Sequence, residues 1–333
     1  MRVLVTGAAG YVGSHACKSL ARAGFEPIGL DNLQRSGIRS LPWGPLVVAD
    51  ICDRSALDEI LRKYCPGAVM HFAAHAYVGE SVAAPDTYYR NNVGGSITLL
   101  SALRDAGIDK LVFSGSCAVY GTPLTCPIVE THPLAPISPY GASKQMVERI
   151  LLDFDSAFGI RHVVLRYFNA AGADPDGEIG ECHDPETHAI PLAIQAALGQ
   201  RRVFEVFGTD YATPDGTAIR DYVHVSDLAD AHVRALQYLL NGNASIAVNL
   251  GTGRGHSVLE VVKAVETATQ RKVKTHRAPR RPGDPPILVA DPGLAAAVLD
   301  WRPTIADITG IVQTAVSWEL SKQKIRAVAP VDL

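Results

Sequence analysis

Apolar and polar positions alternate in two rhythms along the first half of the chain. Arg2-Val3-Leu4-Val5-Thr6 is a short, nearly continuous apolar run, the pattern of a parallel strand buried on both faces. Gly7-Ala8-Ala9-Gly10-Tyr11-Val12-Gly13 follows at once, and Ser14 to Ala23 carries a helical period. Further strands are predicted at Pro27–Leu30, Leu46–Ala49, Ala68–Phe72, Lys110–Ser114 and His162–Leu165. Long helices are predicted at Ala84–Ala106 and Tyr140–Phe158. Strands alternating with helices predict an α/β chain, a Rossmann-type doubly wound parallel sheet.

Beyond Asn169 the alternation stops. A helix is predicted from His188 to Leu198, a strand at Val203–Phe207, a helix from Tyr222 to Leu240 and a strand at Ala247–Leu250, with short helices and loops to the end. The expected organisation is a dinucleotide domain over 1–168, with 221–250 returning to it. A smaller, partly interleaved α/β substrate domain is built from 169–220 and 251–333.

Composition narrows the partners. Of 333 residues, 47% are hydrophobic and 20% charged, with a net charge of -3. There is no basic excess to hold nucleic acid, and no apolar run of membrane-spanning length. No charged, apolar and cleavable leader pattern precedes the first strand, so none is expected. Six scattered cysteines without a C-x-x-C pair predict reduced thiols in the cytoplasm and no metal site.

Strand, glycine loop and helix are the setting in which backbone N–H groups and a helix N-terminus receive a pyrophosphate. Gly7, Gly10, Tyr11, Val12 and Gly13 are therefore candidate NAD contacts, in a G-x-x-G-x-x-G spacing. Asp31 lies 18 residues past Gly13 at a strand end, where a carboxylate would bind a ribose diol and repel a 2′-phosphate. Arg35, nearby, is the one residue that would favour NADP. Asp50, Ile51, Phe72, Ala73 and Ala74 lie at further strand ends, where ligands of such sheets bind.

Tyr140 and Lys144 sit four apart on one predicted helix, hence on one face about a turn apart. An ammonium beside a phenol favours the phenolate, which makes Tyr140 a candidate general base. Ser116, at another strand end, could bind a substrate oxygen. Arg220 and the segment Arg280–Asp284 offer guanidinium groups suited to phosphate.

Together these residues resemble the extended short-chain dehydrogenases/reductases. Asn169-Ala170-Ala171-Gly172-Ala173, Gly177-Glu178-Ile179-Gly180-Glu181, Asp210 to Thr217 and Arg220-Asp221-Tyr222-x-His224-Val225 narrow the likeness to the UDP-glucose 4-epimerase family within them. The resemblance implies redox-neutral C4 epimerisation of UDP-hexoses through a 4-keto intermediate, with NAD kept bound, in a homodimer. It implies Tyr140 as base, Lys144 as its partner and ribose contact, and Ser116 on the C4 oxygen. Tyr11, Val12, Asp31, Asn32, Leu33, Arg35, Ser36, Asp50, Ile51, Phe72 to Ala74, Asn91 and Phe168 would contact NAD. Asn169, His188, Phe207, Arg220, Arg281 and Asp284 would hold the UDP-sugar. Three positions depart from the family pattern: Ala76 replaces a cofactor-side lysine, His188 a substrate asparagine, and Leu288 stands where sugar acceptance is governed. UDP-pentoses and UDP-N-acetylhexosamines stay open as substrates. A 4,6-dehydratase would need a carboxylate where Cys117-Ala118 stand, and a non-catalytic NAD-binding regulator would need no Ser116, Tyr140 and Lys144 together.

Overall fold

The structure, a computed structural model, describes residues 1–35, 41–281 and 284–328, the side chains of 323–328 excepted. The chain opens with β1 (Arg2–Thr6), α1 (Tyr11–Arg22), β2 (Glu26–Asp31), β3 (Leu46–Val48), α2 (Arg54–Tyr64) and β4 (Ala68–His71). Next come α3 (Val78–Ala83), α4 (Pro85–Tyr88), a π-helical turn over Tyr89–Gly94, α5 (Gly95–Asp105), β5 (Lys110–Ser114), α6 (Pro139–Phe158) and β6 (Arg161–Tyr167). The helix predicted over Ala84–Ala106 is thus interrupted, and the interruption carries Asn91 and Asn92.

These strands, with β10 (Ile246–Leu250) added at one edge, form a seven-stranded parallel sheet ordered β10-β6-β5-β4-β1-β2-β3. Strand periodicity sorts the core. Val3 and Val5 point to one face, with Ala16 and Leu20 of α1 and Leu228 and Leu236 beyond them. Leu4 points to the other, with Leu57, Leu99 and Val147 of α2, α5 and α6. All three β1 side chains are fully buried, each burial favouring the fold by roughly 1.5–3 kcal/mol. The chain leaves β1 toward β2 on one side and toward β4 on the other, and this reversal opens a crevice at the strands' carboxyl ends.

The remaining elements are β7 (Asn169–Ala171), α7 (Ala189–Ala197), β8 (Phe204–Phe207), β9 (Ile219–His224), α8 (Val225–Leu240), then after β10, β11 (Gly255–Ser257), α9 (Val258–Thr269), β12 (Thr275–Ala278), β13 (Ile287–Leu288), α10 (Gly293–Leu299) and α11 (Ile308–Val328). A small sheet orders β11-β9-β13, with β7 also on β9, and β12 pairs β8. α7, α9 and α11 close a separate apolar core around Ile194, Val261 and Val312. The helix predicted from Tyr222 begins instead at Val225, because Ile219–His224 extends as β9 between three partners. α8 packs back against the large sheet with α1.

Candidate active site

The glycine loop is shaped by close approach. Gly7 has φ +71°, and a Cβ there would lie 2.6 Å from the backbone nitrogen of Ala73. A Cβ on Gly13 would lie 2.1 Å from the Gly7 carbonyl oxygen. Only glycine lets β1, β4 and α1 meet this tightly. α1 starts after Gly10 with no side-chain cap, so its first N–H groups face the crevice without a side-chain acceptor.

Asp31, at the end of β2, accepts from Ala9 N (3.0 Å) and Leu33 N (2.8 Å). It thereby ties the glycine loop to the second strand. Asn32 donates to Asp50, which also accepts from Cys52 N at 2.8 Å. Burial works against the Asp50 charge, but these donors hold its carboxyl below the usual range. Arg35 is taken up by Glu80 through two contacts of 2.8 and 2.6 Å and lies over the Tyr77 ring. That pairing leaves a 2′-phosphate facing the Asp31 carboxylate, so the described residues fit NAD. Ser36 lies outside the described residues.

The second half of the site hangs on α6. Ser138 caps it, accepting from Gly141 N at 3.1 Å, and Pro139 occupies the first turn, as helix starts favour. Tyr140 follows, and Lys144 lies one turn on, with its ammonium 5.9 Å from the Tyr140 ring centroid and 4.8 Å from that of Phe113. Lys144 donates to Ser114 O at 2.8 Å. Ser116, just past β5, lies beside the Tyr140 phenol and accepts from Ala118 N at 3.2 Å. Behind them Ser143 donates to Tyr140 O (2.7 Å) and Asn92 donates to Ser143 (3.0 Å), so Asn92 braces the helix while Asn91 faces the cavity.

The electrostatics differ from the simple pair the spacing suggests. Burial pushes the Tyr140 pKa above its ordinary value, with Tyr167 adding to the rise and Ser116 opposing it. Burial pulls Lys144 down to about 7, against the pull of Glu148. Burial opposes the charged form of each group separately, the phenolate and the ammonium alike.

A cavity of about 440 Å³ joins both halves. Gly7, Gly10, Tyr11, Val12, Gly13, Asp31, Asn32, Arg35, Ile51 and Phe72 to Ala74 line its cofactor end. Asn91, Ser116, Tyr140 and Phe168 line its middle, and Asn169, His188, Arg220 and Leu288 the far end. Leu33, Asp50 and Lys144 stand behind this lining. Asp284 reaches the site through its ion pair with Arg220. Phe207 and Arg281 stack on each other, 4.1 Å from guanidinium to ring centroid, away from the lining. Among the described lining residues Asp31 is the sole carboxylate, and Cys117-Ala118 beside Ser116 offer none. Tyr77, Tyr167 and His183 also line the cavity and had no motif to mark them.

Fold and site define an NAD-dependent enzyme of the short-chain dehydrogenase/reductase type, with a nucleotide-sized cleft running past a Ser–Tyr–Lys constellation. Residues 3–251 match the NAD dependent epimerase/dehydratase family. The UDP-glucose 4-epimerase of Rhizobium leguminosarum bv. trifolii is 53% identical over 316 residues, 95% of this chain and 96% of that one. That of Azospirillum brasilense is 51% identical over 324 residues, covering 97% and 93%. The crystal structure of UDP-glucose 4-epimerase from Brucella ovis in complex with NAD superposes with TM-score 0.93 at 51% identity, covering 95% and 97%. The chain belongs to this family, among its UDP-glucose 4-epimerases.

Proposed function

We infer that the enzyme interconverts UDP-galactose and UDP-glucose by inverting C4 of the sugar with no net redox change. The observation that carries this is one cavity holding Asp31 and the glycine loop at one end, Ser116 and Tyr140 in the middle and Arg220 at the other. NAD, when bound, supplies the hydride acceptor and donor and one further positive charge. Tyr140 takes the C4 hydroxyl proton and later returns it. Ser116, which lines the cavity with Tyr140, holds the C4 oxygen. Lys144 holds positive charge beneath Tyr140 and is fixed by Ser114 O. Arg220, kept in place by Asp284, faces the diphosphate. Asn169 and His188 bound the space left for the sugar. Elimination of water is disfavoured because no carboxylate stands beside Ser116.

The large sheet with α8 and β10 is the cofactor-binding unit, and the region built on β7, β9 and α7 binds the sugar nucleotide. Ile97, Met146, Leu152 and Phe158 are exposed on α5 and α6, apolar surface that a second copy would cover in a homodimer. The six cysteines form no disulfide, in keeping with a cytoplasmic enzyme, and no described helix is long and apolar enough to cross a membrane.

Purified protein incubated with UDP-galactose and no added NAD is expected to yield UDP-glucose. No epimerised product would refute the reading, and a 4-keto-6-deoxy product would move it to a dehydratase. UDP-pentoses are a second reading. Leu288 lines the cavity, and the UDP-glucose-4-epimerase from Stenotrophomonas maltophila, 41% identical with TM-score 0.93 over 98% of this chain and 100% of its own, was solved with formylated UDP-arabinopyranose. A panel of UDP-galactose, UDP-N-acetylgalactosamine and UDP-arabinose ranks the sugars.

A further inference from the structure

The loop between β7 and α7 brings four side chains to one point at the cavity wall. Glu181, His183, Glu186 and His188 place one ligand atom each within 4.8 Å of the others. His183 Nδ1 lies 2.8 Å from Glu181 Oε1, and His188 Nδ1 contacts that same oxygen. His188 Nδ1 is also 3.4 Å from Glu186 Oε1. Two imidazoles thus converge on one buried carboxylate oxygen, with a second carboxylate beside His188.

We propose that these four residues bind a divalent transition-metal ion of the zinc class. In a tetrahedral site with bonds of about 2.0–2.1 Å, ligand atoms stand roughly 3.3–3.4 Å apart. The separations here bracket that edge, so small side-chain movements would admit the ion. Two imidazole nitrogens with two carboxylate oxygens suit zinc, cobalt or nickel better than magnesium.

The surroundings are those of a supported ligand set. The Glu181 backbone carbonyl accepts from Trp318 Nε1 at 3.0 Å and from Lys322 Nζ at 3.3 Å, both on α11. Glu186 Oε1 accepts from the Thr187 and His188 amides at 2.7 and 2.9 Å, which orients the carboxylate. The His183 ring is flanked edge-on by Tyr11 and Tyr77, at 6.2 and 5.9 Å between centroids. Burial lowers but Glu181 and Glu186 raise the His188 pKa, to about 10, so a metal ion would enter by displacing that proton, whereas the molecule's other acidic cluster holds a lysine. Asp174, Asp176 and Glu178 already share the Lys18 ammonium, at 2.6, 2.8 and 2.7 Å, so a cation is built into it.

Glu-x-His-x-x-Glu-x-His is a spacing that a search for cysteine pairs passes over. The site also touches the cleft. His183 and His188 line the large cavity, while Glu181 and His188 line a small one of about 40 Å³ between β7, α7 and α11. A bound ion would lock His188 away from the sugar nucleotide. Its effect on turnover, which rests on the function proposed above, is inhibition reversed by a chelator.

Binding itself is tested without turnover. Chelator-treated, NAD-loaded protein is titrated with Zn²⁺ by calorimetry and with Co²⁺ by visible absorption. One ion per chain is expected, with the visible bands of four-coordinate Co²⁺ and no thiolate charge-transfer band. His183→Gln and Glu186→Gln, each shown to be folded by its melt, should weaken binding at least by the roughly 10–100-fold that loss of an outer-shell partner costs. Failure to bind one ion per chain, a thiolate band placing it on the cysteines, or unchanged affinity in whichever variant folds would overturn the proposal. Binding with no change in turnover would refute only the inhibitory role. Normal metal binding in a protein that epimerises nothing would overturn the proposed function and leave the site standing.

Discussion

Tyr140→Phe removes a single oxygen from the centre of the cleft. The ring stays in place, so the 2–5 kcal/mol that a core cavity costs is not incurred. At most one side-chain hydrogen bond of the phenol is lost, worth about 1 kcal/mol. The melting temperature should therefore move by no more than about 2–4 °C. The glycine loop and Asp31 are untouched, so bound NAD, measured after denaturing release, should match the wild type. Loss of a positioned proton-transfer group costs roughly 10²–10⁴ in rate, or about 3–5 kcal/mol in barrier. The pH response supplies a second reading. The protein raises the Tyr140 pKa, so the phenol is protonated in acid and the wild-type rate should rise with pH. The Phe variant has no such proton to lose, and its residual rate should lose that slope. Conversion of UDP-galactose is followed by chromatography between pH 6 and 9. A variant within threefold of wild type, or one keeping the wild-type slope, would refute the assignment of Tyr140 as base.

Lys144→Met should abolish turnover yet stabilise the cofactor-free protein at pH 7. The folded pKa of Lys144, about 7, lies below the ordinary 10.5; the native state therefore disfavours the charge, at full cost below pH 7 and at none as pH rises past 10.5. After allowing for the lost bond to Ser114 O, the gain at neutral pH is roughly 3 kcal/mol, fading toward pH 10 in paired thermal melts; a lower melt at pH 7 would contradict it. Glu148→Ala strands the buried Arg166 guanidinium, which Glu148 holds at 2.6 Å, and should cost about 3–5 kcal/mol in denaturant unfolding. Arg220→Met should raise KM for the UDP-sugar at least tenfold with NAD content unchanged, and an unchanged KM would remove Arg220 from diphosphate binding.

The first half of the chain was legible because its signals are local. β1, the glycine loop and α1 are consecutive in sequence, and the Tyr140–Lys144 spacing needs only one helix to have meaning. In the second half α7, β8, α8 and β10 were legible for the same reason, and the elements that depend on distant partners were not. Ile219–His224 reads as a turn-rich lead into a helix, since its extended state depends on β7, β11 and β13, which arrive from distant segments. β11, β12, β13 and the 21-residue α11 went unmarked for the same reason. Phe207 and Arg281 have the right chemistry for a nucleotide, but the structure stacks them on each other, away from the cavity lining.

By itself the sequence determined the class of fold and marked the glycine loop and the Tyr140–Lys144 pair, because each is written in the periodicity or spacing of neighbouring residues. Tertiary structure decided the electrostatics. Spacing alone predicts that Lys144 lowers the Tyr140 pKa, whereas packing around both raises the phenol and depresses the ammonium to about 7. It also decided that Arg35 is spent on Glu80, and that Glu181, His183, Glu186 and His188 share one point in space. Desolvation and convergence depend on what the rest of the chain packs around a residue, and no local pattern records that.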